Sequence, residues 1–174
     1  MRGQVILSHG SNSSPEATKV SALAALAESL GWATQRPDYR DDDARGHAAS
    51  VAPRIARLRA TIEALDVPPL LVGSSMGAFV SALVSLDVPV AGLLLLATPA
   101  AIPGYAQPVD FCAHVPTMLV HGWRDTVCPL AAVQKLAASR RLPLLVLDDD
   151  HRLGASAAPI AAQMRLLLQQ LAEA

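Results

Sequence analysis

Apolar residues in this chain fall into short continuous runs, which alternate with longer segments where they recur every three or four positions. Continuous apolar runs are typical of strands buried on both faces, and their alternation with helices is typical of a parallel sheet. The runs that predict strands are QVILSHG, WATQRPD, PLLLVG, VAGLLLLATP, PTMLVHG and PLLVLDD, of which WATQRPD is the weakest. We therefore predict an α/β fold, a three-layer sandwich of about six mostly parallel strands with helices on both faces.

Helical patterns occupy the intervals between these runs. The first helix is expected to begin at Ser14, which can cap it, with Pro15 in its first turn, and to end at Gly31. Later helices are predicted over residues 76–86 and 130–139 and along the C-terminal segment.

The second predicted helix is amphipathic. Its apolar face is formed by Val51, Ile55, Leu58, Ile62 and Leu65. The same segment carries Arg54, Arg57 and Arg59, which we expect to form a solvated rim rather than a ligand site.

Composition narrows the class of protein. The 174 residues predict one domain, over residues 1–174, and 52% apolar with 17% charged residues can build a well-covered core. A net charge of -1 and an aromatic content of 3% do not indicate a protein that binds nucleic acid or an anionic membrane. No run approaches the roughly 20 apolar residues of a membrane span, and the N-terminal run is too short for a signal peptide. Cys112 and Cys128 lack metal-site spacing, so we expect reduced thiols in a cytoplasmic protein.

The segment GSSMG, from Gly73 to Gly77, lies where a predicted strand meets a predicted helix. A sharp strand-to-helix turn holds its central residue, Ser75, in a strained backbone conformation, and the flanking glycines avoid collisions with the opposing backbone. The Ser75 hydroxyl would then project from the carboxyl end of the sheet, and the Met76 amide would lie at a helix N-terminus, where it favours an oxyanion. G-x-S-x-G is the pattern of a nucleophile elbow, although a plain capped turn would also explain it.

A serine nucleophile needs a base and an acid that orients the base. Asp125 follows the fifth predicted strand and His151 follows the sixth, which places both at the same sheet edge as Ser75. Asp148, Asp149 and Asp150 are alternative acids, but they adjoin His151 in sequence and are expected to form a solvated turn; Asp110 is a weaker alternative. Of the other histidines, His47 and His114 are expected at the surface, and His9 and His121 as packed residues.

An acyl-transfer site also needs a second amide for the oxyanion. The segment LSHGSNSSP follows the first strand, and Gly10 would allow its backbone to approach Ser75. The amide of Ser11 or Asn12 is the candidate. A phosphate-binding loop is excluded, because neither G-x-x-x-x-G-K-[ST] nor G-x-G-x-x-G occurs after the strand.

Four segments together, LSHGSNSSPEATK, GSSMG, HGWRDTVCP and DDDHRLG, resemble the α/β-hydrolase superfamily, and most nearly its small cytosolic serine-hydrolase branch, which includes dienelactone-hydrolase-like proteins. The resemblance implies Ser75 as nucleophile, Asp125 as acid and His151 as base, with the Met76 and Ser11 amides as oxyanion hole. It implies hydrolysis of esters or thioesters without metal or cofactor. The chain is shorter than a typical member, has no insert large enough for a lid domain, and carries serine where dienelactone hydrolases carry cysteine.

We therefore predict a hydrolase for a small-molecule ester or thioester, with Trp123, Tyr105 and Phe111 as candidate substrate contacts. Residues 97–116, the least regular stretch, are expected to form a surface loop beside the strand ends, and the sequence leaves open whether this loop covers the site. Two alternatives stay open: a binding or interaction protein on the same scaffold, and transfer of the acyl group to an acceptor other than water. A homodimer is compatible with the sequence, which locates no interface.

Overall fold

A six-stranded sheet forms the centre of the computed structural model, which describes residues 2–173. Its strand order is β2-β1-β3-β4-β5-β6, and every pairing is parallel, as the apolar runs predict. The strands are β1 (Gln4–Ser8), β2 (Ala33–Gln35), β3 (Leu70–Ser74), β4 (Gly92–Leu96), β5 (Thr117–Gly122) and β6 (Leu144–Leu147). Since all six run in one direction, the loops at their carboxyl ends meet at one edge of the sheet.

Helices cover both faces of this sheet. They are α1 (Thr18–Ser29), α2 (Arg40–Asp43), α3 (Val51–Glu63), α4 (Met76–Val84), α5 (Leu130–Arg140) and α6 (Ala157–Ala172). Alternate residues of one strand enter opposite core layers: Leu71 packs with α3, α4 and α5, whereas Leu70 and Val72 pack with α1 and α6. The predicted three-layer sandwich is confirmed, and no described segment forms a lid domain.

The first helix begins later than the sequence predicts. Helix α1 starts at Thr18, and its capping position, Ala17, provides no side-chain hydrogen bond. The Ser14 hydroxyl instead accepts a hydrogen bond from the Glu16 amide, in a turn that the Ala17 amide closes by donating to the Ser14 carbonyl. Serine bonds local backbone in this way and so competes with helix formation. The end of the helix agrees with the prediction, since Gly31 follows it with φ of 84°.

The expectation of a solvated arginine rim is correct for two of the three arginines and wrong for the third. Arg57 pairs with Asp42 and Arg59 with Asp87, and both arginine side chains are more than 40% exposed. The Arg54 side chain is 0% exposed. It lies on the buried face of α3, between Val51 and Leu58. Helical spacing alone places Arg54 there, and its charge is matched by Asp43 at 2.7 Å.

The connection from β4 to β5, residues 97–116, contains no helix or strand. It is anchored by Ile102 and Phe111, which are both 2% exposed and enter the core. Among residues 2–173, none of the helices combines the length and apolar character that a membrane crossing needs.

Candidate active site

Ser75 occupies the turn between β3 and α4 with φ of 53° and ψ of -119°. A residue other than glycine is rarely found there, and such a conformation costs on the order of 1–3 kcal/mol. The amide of Ser75 donates to the Leu96 carbonyl at 2.9 Å, which ties the turn to the end of β4. The serine is therefore held in the predicted elbow conformation at the carboxyl edge of the sheet.

Gly73 and Gly77 make this turn sterically feasible. A Cβ on Gly73 would overlap the Gly77 carbonyl oxygen and lie 2.6 Å from Ala78 Cα. A Cβ on Gly77 would overlap the Ser8 carbonyl oxygen and lie 2.8 Å from the His9 oxygen. Helix α4 therefore packs its first turn directly on the backbone that leaves β1, which brings the loop after β1 next to Ser75.

We expect Gly77→Ala to lower the free energy of unfolding by about 3 kcal/mol, because the added methyl group must push α4 away from rigid backbone. Gly154→Ala is the matched control, since a Cβ there would have no neighbour within 4 Å. Urea denaturation of the two variants and the wild type measures the difference. A Gly77→Ala protein as stable as Gly154→Ala would contradict the close packing.

The three side chains predicted to act together do meet. His151 Nε2 lies 2.9 Å from Ser75 Oγ, and His151 Nδ1 lies 2.8 Å from Asp125 Oδ2. The Asp125 side chain is 0% exposed and the His151 side chain 20% exposed. The Ser75 hydroxyl can thus donate to one ring nitrogen while the other donates to a buried carboxylate.

Asp125 is held in place by its own loop. Its Oδ1 accepts hydrogen bonds from the amides of Val127 at 2.9 Å and Cys128 at 2.7 Å. Its Oδ2 faces His151 and also lies 3.2 Å from Nε2 of the buried His121, which donates to the Cys128 carbonyl at 2.7 Å. Both carboxylate oxygens are satisfied, so Asp125 has a single orientation toward His151.

His151 is positioned by the turn after β6, and Asp149 organises that turn. Asp149 Oδ2 accepts from the Ala155 amide at 2.9 Å and the Ser156 hydroxyl at 2.7 Å, and Oδ1 accepts from the Asp150 amide at 2.8 Å. These hydrogen bonds, that from Ser156 above all, lower the pKa of Asp149. Gly122 completes the arrangement, because a Cβ there would overlap the Asp149 carbonyl and lie 2.7 Å from the Asp150 oxygen.

Asp149→Asn is expected to lower stability at neutral pH by about 1 kcal/mol or more, since an amide cannot accept at both oxygen positions. The lowered pKa means that Asp149 contributes its stability above the unfolded pKa of about 3.9 and loses it as the pH falls through the lower folded pKa. The stability difference between wild type and variant should therefore be largest near pH 7 and vanish at low pH. Thermal melts from pH 2.5 to 8 measure it.

Asp148→Asn is the matched control for this experiment, because its side chain is 88% exposed and pairs only with Arg124 among the described residues. Equal effects of the two substitutions at neutral pH would contradict the organising role of Asp149.

The alternative acids and bases have other partners. Asp149 holds its turn, Asp150 accepts from the Arg152 amide, and Asp110 pairs with Arg140. His47 and His114 are exposed, as predicted. His121 and His9 are buried and packed, also as predicted. Of the described carboxylates, Asp125 is the one that contacts the ring of His151.

The backbone amides of Met76 and Ser11, the candidate oxyanion donors, belong to segments next to Ser75. Met76 is the first residue of α4, and a helix leaves its first amides without an intrahelical acceptor. A Cβ on Gly10 would lie 3.5 Å from Ser75 Cβ, so the loop carrying the Ser11 amide runs past the elbow. The Ser11 hydroxyl lies 3.3 Å from His47 Nδ1, on the exposed side of this loop.

The three predicted substrate contacts occupy different environments. Trp123 is 60% exposed and follows β5, two residues before Asp125. Tyr105 is partly buried and meets Phe79 edge to face, with ring centroids 6.0 Å apart. Phe111 does not fit the expectation, because it is 2% exposed, belongs to the core and has the Arg140 guanidinium over its ring. Aromatic character alone does not distinguish a core residue from a substrate contact, whereas burial does.

Donor atoms of Asp125, Cys128 and His151 lie within 4.8 Å of one another, which is a spacing that a metal ion could bridge. Burial, followed by the charge of Asp125, raises the pKa of the Cys128 thiol to about 12. The thiol is therefore protonated at neutral pH, and the Asp125 oxygens already accept hydrogen bonds. These residues fit a proton relay with a packed neutral thiol better than a metal centre.

Arg54 is the residue at this site whose placement sequence reasoning missed. Its guanidinium donates to the carbonyls of His9 and Gly10 at 2.8 and 3.1 Å, directly behind the loop that carries the Ser11 amide. The signal was its position on the apolar face of α3, in register with Val51 and Leu58.

Known proteins share this architecture. A candidate hydrolase of the alpha/beta superfamily from Xanthomonas campestris pv. campestris is 42% identical, with a TM-score of 0.92 over 97% of this chain and 99% of that one. Est1E from Butyrivibrio proteoclasticus is 14% identical, with a TM-score of 0.78 over 99% and 89%. A serine hydrolase without lid from Xanthomonas campestris is 17% identical, with a TM-score of 0.77 over 97% and 82%. These last two show the fold alone.

No curated protein matches the chain. The family model described as alpha/beta hydrolase domain matches residues 1–173. The match extends over both the sheet and the loops at its carboxyl edge. This chain therefore belongs to the alpha/beta hydrolase domain family.

Proposed function

We propose that this protein is a serine hydrolase that cleaves carboxylic esters or thioesters through an acyl-enzyme intermediate. The observation that carries the proposal is the continuous relay from Ser75 Oγ through His151 to Asp125, with contacts of 2.9 and 2.8 Å. A protein that only bound a ligand would not need a strained serine, an aligned imidazole and a buried carboxylate together.

The reaction begins when the Ser75 oxygen attacks the carbonyl carbon of the substrate and its proton passes to His151 Nε2. Asp125 keeps the other ring nitrogen protonated and stabilises the imidazolium. The carbonyl oxygen becomes negative and is met by the amides of Met76 and Ser11. Protonated His151 then gives its proton to the leaving alcohol or thiol, and the acyl group stays on Ser75. Water, deprotonated by His151, attacks the acyl-enzyme; His151 then returns the proton to Ser75 Oγ as the acid leaves.

The substrate is proposed to be small or extended, because no described segment forms a lid domain over the sheet edge. Trp123 and Val127 flank Asp125 in the loop after β5, and they are 60% and 66% exposed. We propose that Trp123 contacts the apolar part of the substrate. The predicted cytoplasmic location and homodimer stay predictions.

A fluorophosphonate probe tests the assignment, since it reacts with an activated serine and not with an ordinary hydroxyl. Peptide mass spectrometry should place one covalent adduct on Ser75. A panel of p-nitrophenyl esters and acyl thioesters of increasing chain length should then show turnover that falls as the acyl chain lengthens. Folded protein with neither adduct nor turnover would favour the binding alternative, and faster product formation on adding an alcohol acceptor would favour acyl transfer.

A further inference from the structure

Arg54 is a buried cation whose contacts lead to the backbone behind Ser75. Its Nε and Nη2 each donate to the carboxylate of Asp43 at 2.7 Å. Its Nη1 donates to the His9 carbonyl at 2.8 Å and Nη2 to the Gly10 carbonyl at 3.1 Å. The guanidinium also lies 4.5 Å from the centroid of the Tyr39 ring. A buried arginine must be paired and hydrogen-bonded to be tolerated. Here two of the four hydrogen bonds go to the Asp43 carboxylate and two go to carbonyls of one short loop.

The Gly10 carbonyl is the informative partner, because it shares a peptide plane with the Ser11 amide. In a trans peptide the C=O and N–H bonds point in opposite directions. Holding the Gly10 oxygen toward Arg54 therefore turns the Ser11 N–H away from Arg54. His9 reinforces the same orientation: its Nδ1 donates to the Gly10 oxygen at 2.8 Å while its Nε2 accepts from the Tyr39 amide at 3.0 Å.

The loop lies against the elbow and has a strained residue of its own. A Cβ on Gly10 would be 3.4 Å from the Ser74 carbonyl oxygen and 3.5 Å from Ser75 Cβ. Asn12, one residue beyond Ser11, has φ of 54°. A loop in this conformation needs outside contacts to prevent relaxation, and Arg54 supplies two hydrogen bonds to consecutive carbonyls.

We propose that Arg54, held by Asp43, is a positioning residue that orients the Ser11 amide as the second oxyanion donor. The inference rests on the proposed hydrolase function and adds a residue from α3 to its machinery. Because the oxyanion exists only in the transition state and the tetrahedral intermediate, a misdirected Ser11 amide lowers kcat and leaves substrate binding nearly unchanged.

Arg57 offers a matched control on the same helix. It pairs with Asp42 at 2.7 Å, as Arg54 pairs with Asp43, and both acids belong to α2. The side chain of Arg57 is 44% exposed, and its hydrogen bonds go to Asp42. Arg57→Lys therefore weakens the contact between α2 and α3 without touching the loop of His9 and Gly10.

The decisive experiment compares Arg54→Lys with Arg57→Lys, using steady-state kinetics on a short activated ester well below the melting temperature. Arg54→Lys keeps the charge but loses the fork that reaches both Asp43 and the two carbonyls. We expect kcat to fall about 10- to 100-fold, which is at most the effect of losing one oxyanion donor. KM should stay within about twofold of the wild-type value. Arg57→Lys should match the wild type. A trifluoromethyl ketone, which forms a tetrahedral adduct with the serine, should lose affinity in proportion to kcat/KM.

Asp43→Asn is the second variant, in case Arg54→Lys does not fold. It keeps Arg54 but weakens its tether, and a smaller fall in kcat with unchanged KM is expected. Hydrogen exchange of the Ser11 and Asn12 amides supplies a readout that does not depend on activity: exchange should be faster in Arg54→Lys or Asp43→Asn than in Arg57→Lys.

The two proposals fail in different ways. If the wild type turns over esters but the Arg54 and Asp43 variants match Arg57→Lys in kcat and in amide exchange, the positioning role is wrong and the hydrolase assignment stands. If the wild type shows no turnover and no Ser75 adduct, the hydrolase assignment is wrong, and the role of Arg54 toward an oxyanion is overturned with it.

Discussion

Replacing Ser75 with alanine is expected to lower kcat for ester hydrolysis by about 10⁴-fold or more. The hydroxyl oxygen is the attacking atom, and among the described side chains it is the one within hydrogen-bond distance of His151 Nε2. Without it no acyl-enzyme forms, and only water attack assisted by the oxyanion donors is left. Fluorophosphonate labelling should disappear together with turnover.

Ser74→Ala is the matched control for this substitution. Ser74 is the adjacent hydroxyl, at the end of β3, and it is not part of the relay. Both variants should retain the circular dichroism spectrum and a cooperative melt. Full turnover by Ser75→Ala would falsify the nucleophile assignment, as would an adduct that persists in that variant and is lost from Ser74→Ala.

Asp125→Asn is expected to lower kcat/KM by about 10³- to 10⁴-fold at pH 7, because it changes which ring nitrogen of His151 carries the proton. Asp125 Oδ1 accepts from two backbone amides, so the asparagine oxygen must take that position. The new amide group then replaces Oδ2 and points at His151 Nδ1, which can no longer donate. The ring proton moves to Nε2, where it faces Ser75 and prevents the ring from accepting the serine proton.

The same amide meets His121 Nε2, which is 3.2 Å from Oδ2 and already donates to the Cys128 carbonyl. We therefore expect a lower melting temperature as well as lower activity. Nitrogen NMR of labelled histidine reports the tautomer, and Asp110→Asn is the control because Asp110 pairs with Arg140 and is not part of the relay. Retention of Nδ1 protonation in Asp125→Asn with full activity would refute the proposed orientation.

The strand pattern predicted most of what positions this site. The six predicted strands became six parallel strands. The four central ones are buried on both faces and are therefore almost wholly apolar, whereas the edge strands β2 and β6 are only partly buried, and β2 was the weakest prediction. The order of Ser75, Asp125 and His151 along the chain, each after a different strand, placed all three at one sheet edge. The sequence predicted that a Cβ at either glycine of the elbow would collide with backbone. In the structure, a Cβ added at Gly73 or Gly77 would indeed overlap a carbonyl oxygen.

Other features could not be predicted because their partners are distant in the chain. Arg54 was expected in solvent on account of its charge, yet Asp43 and the carbonyls of His9 and Gly10 make its burial tolerable. Phe111 was a candidate substrate contact, and its packing into the core depended on how residues 97–116 return to the sheet. Periodicity places Arg54 on the buried face of α3, but neither the partners that match its charge nor the path of residues 97–116 follows from the pattern of one segment.

The amino-acid sequence by itself determined the layered parallel sheet, the strained serine and the identity of the residues at its edge. These follow from local periodicity, from the volume that a glycine leaves free and from chain direction, which are properties of short segments. Only the tertiary structure decided the orientation of His151, the choice of Asp125 over the aspartates that adjoin His151, and the burial of Arg54 behind the Ser11 amide. Each of these depends on hydrogen bonds between segments 11 or more residues apart, and such bonds have geometry only once the chain has folded.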